Sequence, residues 1–295
     1  MLKPMHEIAP TVYVNGRLLP EGEASVSVLD RGLTLADGLF ETMVAFGDRV
    51  FRLPDHLARL RGGAALLRLP LPPSRTLEAA VRETLRRNGR ERSVVRLTVT
   101  RGSDHGRGLD VRPGTRPTLI VRVTPWQGPP SSLPLPGRSL ALSPICRNEH
   151  SPITRVKSLA YVEGVVARLE VRRRGADDAL LLNTTGTVAC ASSSNVFVVI
   201  DDALATPRQE DGALPGIARK TLLEVARSLG MAAREQSIQP EEVYRAREVV
   251  LTNVVSGPVP VTSVDGHPVG DGAPGPVTAR LTRAYWELVA KTLGG

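Results

Sequence analysis

The sequence predicts an α/β fold of two domains with mixed sheets and flanking helices. The N-terminal part of the 295 residues contains strand-like segments followed by helix-like ones, and in the C-terminal part strands and helices alternate; two α/β domains fit this order. A proline-rich stretch at residues 125–138 separates the two parts, because prolines at this density exclude a helix and disfavour pairing inside a sheet. We therefore expect an N-terminal α/β domain at 1–124, an interdomain linker at 125–138 and a C-terminal α/β domain at 139–295.

The N-terminal domain is predicted to begin with a hairpin. A strand at residues 12–14 runs into Asn15-Gly16, a dipeptide that favours the tight turn of a β-hairpin. Pro54 opens a helix whose apolar residues recur at helical spacing. The other predicted elements are strands at 39–46, 93–101 and 118–124 and a helix at 77–87.

The C-terminal domain is predicted to alternate strands and helices, without an internal repeat. The predicted strands lie near Leu140 and at 179–182, 196–200 and 248–252. The predicted helices lie at 159–173, at 217–229 and from about 277 to the C-terminus.

The net charge of +8 raises the question of a nucleic-acid-binding protein. Surfaces of that class cluster basic residues on one face and add aromatic residues for stacking. Here the arginines are spread along the chain and aromatic residues make up only 3% of it, so we expect no nucleic-acid partner.

The cysteines and histidines predict neither a disulfide framework nor a metal site. Cys146 and Cys190 are the two cysteines, and the five histidines show no zinc-ligand spacing. No run approaches the roughly 18 apolar residues of a membrane span, and the first residues lack a signal-peptide pattern. We expect a soluble cytoplasmic protein with no metal and no membrane partner.

Four segments contain candidate site residues, although each has an ordinary structural interpretation when taken alone. Lys157 precedes a predicted helix, where a lysine is usually only solvated. Small residues at 186–195, ending in Ser194 and Asn195, allow a backbone to approach a ligand closely, but they also suit a simple turn. The helix start at Ile217 and Ala218 follows Pro215-Gly216 and offers free N–H groups to an anion, although most helix starts bind water.

Arg59 is the fourth candidate. It immediately precedes Leu60, and Leu60 belongs to the apolar face of the predicted helix. A guanidinium that is partly buried there needs an anionic partner, and phosphate suits its geometry. The alternative is a surface arginine.

Together and in this order, these segments resemble the class IV aminotransferase and lyase superfamily, the fold type IV pyridoxal-phosphate enzymes. The resemblance covers nearly the whole chain. It also includes residues 13–16 (YVNG), 30–42 (DRGLTLADGLFET), 250–253 (VLTN) and 258–261 (PVPV). The resemblance implies pyridoxal 5'-phosphate as cofactor, a small-molecule amino substrate and a homodimer with a shared active site.

The resemblance also implies roles for individual residues. Lys157 matches the lysine that holds the cofactor and later carries the proton. Arg59 matches a ligand of the cofactor phosphate, and Ile217 and Ala218 match the helix-start amides that bind the same phosphate. Ala218 replaces the threonine that is common there and lacks its hydroxyl. The remaining candidate cofactor-binding residues are Cys190, Ser194, Asn195 and Asn253.

Cys190 departs from the family pattern. The family usually has a glutamate five residues before the asparagine, where it protonates the pyridine nitrogen of the cofactor. In this chain that position, five before Asn195, is Cys190. A carboxylate makes the ring a deep electron sink, whereas a neutral thiol forms only weak hydrogen bonds. We therefore expect an unprotonated ring nitrogen.

Within the superfamily, the sequence favours 4-amino-4-deoxychorismate lyase, which eliminates pyruvate to give the folate precursor 4-aminobenzoate. Residues 100–109 (TRGSDHGRGL) and 140–144 (LALSP) resemble lyase segments. In this interpretation Arg101 and Arg107 bind the substrate carboxylates. A weak electron sink also hinders transamination more directly than elimination. Two alternatives remain open: an amino-acid aminotransferase of the D-amino-acid or branched-chain type, and a cofactor-binding protein with altered activity.

Overall fold

The computed structural model describes residues 9–106 and 108–294. The chain divides into two compact units, Met1–Gly128 and Pro129–Gly295. The division falls within the proline-rich stretch at 125–138. Each unit contains a sheet with helices, so the predicted α/β class is confirmed.

The first unit contains a six-stranded sheet in the order β2-β1-β6-β5-β3-β4, and every pair of neighbouring strands is antiparallel. The mixed pattern is therefore confined to the second unit. The elements of the first unit are β1 (Thr11–Val14), β2 (Arg17–Pro20), α1 (Arg31–Leu35), β3 (Gly38–Phe46), β4 (Arg49–Val50), α2 (Leu53–Leu67), α3 (Ser74–Asn88), β5 (Arg92–Thr100) and β6 (Thr118–Pro125).

Two local predictions for this unit, the turn at Asn15-Gly16 and the helix that begins near Pro54, are confirmed by the structure. Asn15 and Gly16 have φ angles of 48° and 90°, as the tight turn between β1 and β2 requires. Helix α2 has Pro54 in its first turn and buries Leu57 and Leu60. It packs against β3, and this packing fixes the position of Arg59 on the helix.

The second unit contains a nine-stranded mixed sheet in the order β12-β11-β10-β13-β14-β7-β8-β9, with β15 beside β14. The β7–β8, β7–β14 and β11–β12 pairs are parallel. The elements are β7 (Arg138–Leu142), α4 (Val162–Arg173), β8 (Asp178–Leu182), β9 (Val188–Ala191), β10 (Asn195–Ile200), β11 (Ala203–Thr206), α5 (Ile217–Ser228), β12 (Ala233–Glu235), α6 (Pro240–Arg245), β13 (Glu248–Asn253), β14 (Gly257–Val264), β15 (His267–Pro268) and α7 (Pro276–Leu293).

Two elements of this unit differ from the prediction. Helix α4 begins at Val162 rather than near 159, because Lys157 to Tyr161 form a loop and a helix cap. The small residues after Gly186 include a strand, β9, which pairs with β8. Strand pairing outweighs the weak β propensity of Ala189 and Ala191.

An apolar cluster lies between α4 and the neighbouring strands. Ala167 and Val171 of α4 pack with Ala179, Leu181 and Cys190. Cys190 is therefore part of the core on the α4 side of the sheet. In the described part of the chain, no helix is long and apolar enough to cross a membrane.

Candidate active site

Lys157 lies in a loop immediately before α4. Its Nζ donates a hydrogen bond to the Tyr161 hydroxyl at 3.0 Å and lies 5.3 Å from the centre of the Tyr161 ring. Tyr161 is the residue before the first turn of α4. Tyr161 was not among the site residues predicted from the sequence, although its position four residues after Lys157 could have indicated it. The loop therefore presents an amine and a phenol side by side.

The turn between β9 and β10 lies beside the start of α4. The Ala191 backbone N–H donates to the Ser194 carbonyl at 2.9 Å and closes this turn. A Cβ on Gly164 of α4 would lie 2.6 Å from the Ser192 carbonyl oxygen. Only a glycine allows this approach, so residue 164 brings α4 against the turn. Asn253 joins the same turn, because its Nδ2 donates to Ser194 Oγ at 3.2 Å.

Asn195 connects this turn to the start of α5. Its side chain is buried, and its Nδ2 donates to the Leu214 carbonyl at 2.9 Å. A Cβ on Gly216 would lie 2.1 Å from Asn195 Oδ1. The asparagine therefore packs against the backbone that precedes the helix, and it fixes the turn at 214–216 in place.

The start of α5 is suited to an anion. Gly216 is the N-cap residue, and no side chain of the described residues caps this 12-residue helix. The backbone N–H groups of Ile217 and Ala218 belong to the first turn, where a helix has no internal partner for them. Together with the positive end of the helix dipole, these groups can bind a phosphate.

Cys190 is buried in β9, opposite Leu181 of β8. Burial raises the pKa of its thiol to about 11. The thiol is therefore neutral near pH 7, as the sequence analysis assumed. Three charged side chains act on it electrostatically: Arg147, Glu163 and Asp178.

Arg147 and Glu163 form an ion pair that the sequence analysis did not identify. Arg147 Nη1 donates to Glu163 Oε2 at 3.0 Å. The other Arg147 donors bind the carbonyls of Gly212 at 2.8 Å and Thr154 at 3.0 Å. The two residues are 16 positions apart and are separated by a loop and the cap of α4, so no local sequence pattern predicts their contact.

The first unit pairs Arg59 with a buried carboxylate. Arg59 donates to both oxygens of Glu41, from Nε at 2.8 Å and from Nη2 at 2.6 Å. His56 Nδ1 lies 2.7 Å from Glu41 Oε2. Burial would raise the pKa of Glu41, but hydrogen bonds from Arg59 and His56 outweigh it and lower that pKa. The anionic partner of Arg59 within this unit is therefore Glu41, and phosphate binding stays a prediction.

The structure gives Arg101 a structural role that argues against the predicted clamp on substrate carboxylates. Its Nε donates to Asp37 at 2.6 Å, and its other nitrogens donate to the carbonyls of Arg68 and Leu67 at 2.9 and 2.8 Å. These contacts neutralise Asp37 and satisfy the end of α2, so the guanidinium is already engaged. Arg107, the second predicted clamp, lies outside the described residues.

Asn253 stabilises the turn that follows β13. Its Oδ1 accepts hydrogen bonds from the backbone N–H groups of Val255 at 3.0 Å and Ser256 at 2.9 Å. Its Nδ2 reaches Ser194, as described above. Asn253 thus connects the turn after β13 to the turn that precedes Asn195, and cofactor binding by Asn253 stays a prediction.

Known proteins match this chain over most of its length. The family described as amino-transferase class IV matches residues 38–264. A branched-chain-amino-acid aminotransferase of Salmonella typhimurium is 31% identical over 95% of this chain and 93% of that protein.

Solved structures match over a similar share of the chain. The branched-chain amino acid aminotransferase of Escherichia coli has a TM-score of 0.88 at 29% identity, with 95% of this chain and 94% of that chain covered. The enzyme of the same name from Thermobaculum terrenum, solved in its PLP-form, has a TM-score of 0.85 at 27% identity, with 97% of this chain and 95% of that chain covered.

These matches define a pyridoxal-phosphate-dependent enzyme. The chain belongs to the class IV aminotransferase family. The finer prediction of a 4-amino-4-deoxychorismate lyase in folate biosynthesis is not supported, because these relatives are named aminotransferases. The lyase interpretation depended on the resemblance of residues 100–109 and 140–144 and on the weak electron sink expected from Cys190. Of the two arginines proposed to bind its substrate, Arg101 has other hydrogen-bond partners.

The residues of the second unit fit pyridoxal phosphate chemically. Lys157 offers a primary amine, and the uncapped start of α5 offers N–H groups to a phosphate. The donor set thus matches the reactive aldehyde of the cofactor and the anionic phosphate by which it is bound.

Gly216→Ala should weaken cofactor binding, because the new methyl group would collide with Asn195 Oδ1 and displace the turn at 214–216. We expect the affinity of the apoenzyme for pyridoxal phosphate, measured by fluorescence titration, to fall at least about tenfold, as loss of a charged hydrogen bond would produce. Gly62→Ala is the control, since a Cβ there meets nothing within 4 Å. Equal affinities of the two variants would contradict a role for this turn.

Proposed function

We propose that this chain is an amino-acid aminotransferase of the branched-chain type, which transfers an amino group from a branched-chain amino acid to a 2-oxo acid. The observation that carries the proposal is the match to branched-chain aminotransferases over 95% of the chain at 31% identity. The lysine–phenol pair and the uncapped helix start supply what such a reaction needs from the second unit.

When bound, pyridoxal phosphate supplies the electron sink for this chemistry. In the proposal, Lys157 would hold the cofactor through Nζ, and the same Nζ, released when the amino acid binds, would carry the proton away from the α-carbon of the amino acid. The Tyr161 hydroxyl orients Nζ by accepting its hydrogen bond at 3.0 Å. Tyr161 also limits the freedom of a side chain that is otherwise long and flexible.

Phosphate binding is proposed for the amides of Ile217 and Ala218, and it is proposed separately for Arg59. Asn195 and Asn253 act as positioning residues, because they hold the turns around Leu214, Ser194 and Ser256. The branched-chain relatives also lead us to propose a homodimer with a shared active site. The cytoplasm remains the proposed location.

A product assay tests this function. With purified holoenzyme and 2-oxoglutarate, L-leucine and L-valine should each give L-glutamate and the matching 2-oxo acid, detected by mass spectrometry. D-Alanine with the same acceptor should give much less product. 4-Amino-4-deoxychorismate should give no 4-aminobenzoate above the enzyme-free rate. Release of 4-aminobenzoate without amino transfer from either L-amino acid would overturn the proposal and restore the lyase.

A further inference from the structure

Two carboxylates, Glu163 and Asp178, lie near Cys190, which occupies the position of the usual family glutamate. The Cys190 thiol lies in the apolar cluster beneath α4. Burial raises the pKa of this thiol to about 11, Arg147 lowers it, and Glu163 and Asp178 raise it. A neutral thiol cannot balance the charge of a protonated pyridine ring, but a nearby carboxylate can.

Of the two carboxylates, Asp178 is already engaged. It accepts hydrogen bonds from the Ala179 backbone N–H at 2.8 Å and from the Ser192 hydroxyl. It also pairs with Arg168 at 3.3 Å, and its own side chain is 7% exposed. These contacts hold Asp178 at the base of the β9–β10 turn and leave little capacity for a ligand.

The Glu163 carboxylate can accept further hydrogen bonds. Within the described residues its hydrogen-bond partner is Arg147, which uses only Oε2. The side chain is 32% exposed, so a ligand can approach it. A carboxylate has about four lone-pair sites, and one ion pair leaves most of them available.

Two features fix the position of Glu163. The neighbouring Gly164 packs its backbone against Ser192, two residues after Cys190. Arg147, the partner of Glu163, is itself anchored by the carbonyls of Gly212 and Thr154. The carboxylate is therefore held by a rigid cation on one side and by close helix–turn packing on the other.

We propose that Glu163, anchored by Arg147, is the carboxylate that faces the ring nitrogen of pyridoxal phosphate in this chain and takes over the part of the glutamate that Cys190 replaces. The proposal rests on the proposed function, because it requires the cofactor in this site. Glu163 accepts the hydrogen bond of the protonated ring nitrogen, and Arg147 keeps the carboxylate ionised and oriented. The ring nitrogen is then protonated, contrary to the expectation from Cys190 alone.

Nuclear magnetic resonance of the holoenzyme loaded with ¹⁵N-labelled pyridoxal phosphate tests the proposal. The wild-type enzyme should show a protonated ring nitrogen near pH 7, and Glu163→Gln should show an unprotonated one. The affinity of the apoenzyme for the cofactor should also fall about tenfold to a hundredfold in Glu163→Gln, as loss of a charged hydrogen bond predicts. The matched control is Glu170→Gln on the same helix, where the side chain is 42% exposed and pairs with Arg173.

A rescue variant separates this role from a merely structural one. Cys190→Glu combined with Glu163→Gln should restore the protonated nitrogen, because it returns the carboxylate to the family position. If Glu163→Gln does not fold, Glu163→Asp replaces it and should lower the protonated fraction by shortening the reach of the carboxylate. An unprotonated nitrogen in the wild type, or a fully protonated one in the single variants Glu163→Gln and Glu163→Asp, would overturn the proposal. Neither result would touch the aminotransferase assay of the wild type, so the two failures are distinguishable.

Discussion

Lys157→Ala should reduce turnover by many orders of magnitude. The substitution removes both the amine that holds the cofactor and the group that moves the α-proton, so two parts of catalysis are lost together. The absorption band of lysine-bound cofactor should disappear, and the mutant should bind pyridoxal phosphate only through its phosphate contacts. The measurement is steady-state amino transfer from L-leucine, recorded beside the absorption spectrum.

Lys291→Ala is the control for this prediction. Lys291 is an exposed residue near the end of α7, and its removal should change neither the spectrum nor the rate. The chain has four lysines, Lys3, Lys157, Lys220 and Lys291, so few alternatives exist. An active, yellow Lys157→Ala enzyme would show that another lysine holds the cofactor.

Arg59→Ala should have the largest effect on stability. The substitution leaves Glu41, whose side chain is fully buried, without its bidentate partner. Breaking a buried ion pair in this way costs about 3–5 kcal/mol. Glu41 has a lowered pKa in the folded state, so its pairing stabilises the fold above its ordinary pKa and this contribution is lost as the pH falls through the folded value. Chemical denaturation of the apoenzyme at pH 7 measures the loss.

A double variant separates the structural role of Arg59 from phosphate binding. Arg59→Met with Glu41→Gln removes both charges, and it should recover much of the lost stability because no buried charge is left unpaired. If Arg59 also binds the cofactor phosphate, the stable double variant should still bind pyridoxal phosphate about tenfold to a hundredfold more weakly than the wild type. Wild-type affinity in that variant would refute Arg59 as a phosphate ligand.

Much of the fold could be predicted from local patterns. The Asn15-Gly16 turn and the apolar face of α2 each depend on residues close together in the sequence, and both appear where the pattern placed them. Strand β9 was harder to predict, because alanines and a cysteine have little strand preference of their own. Its pairing with β8 decides its structure.

The hydrogen-bond partners of the candidate site residues could not be predicted from the sequence, and the functional roles of these residues stay predictions. Asn195 donates a hydrogen bond to the Leu214 carbonyl, so two of the four candidate segments lie side by side. Arg101 binds Asp37 and the carbonyls at the end of α2, which lie far from it in the sequence. The sequence therefore could not distinguish this structural role from binding of a substrate carboxylate. The Arg147–Glu163 pair also depends on tertiary contacts. Neither set of partners could be predicted from local sequence spacing.

We infer that Lys157 holds pyridoxal phosphate in this class IV aminotransferase. Borohydride reduction of the purified holoenzyme, followed by digestion and mass spectrometry, tests it most directly. Reduction makes the bond between lysine and cofactor permanent, so the labelled peptide identifies the residue. We predict the phosphopyridoxyl mass on the peptide that contains Lys157 and none on those with Lys220 or Lys291. A label on any other lysine, or no label on a yellow enzyme, would contradict the account.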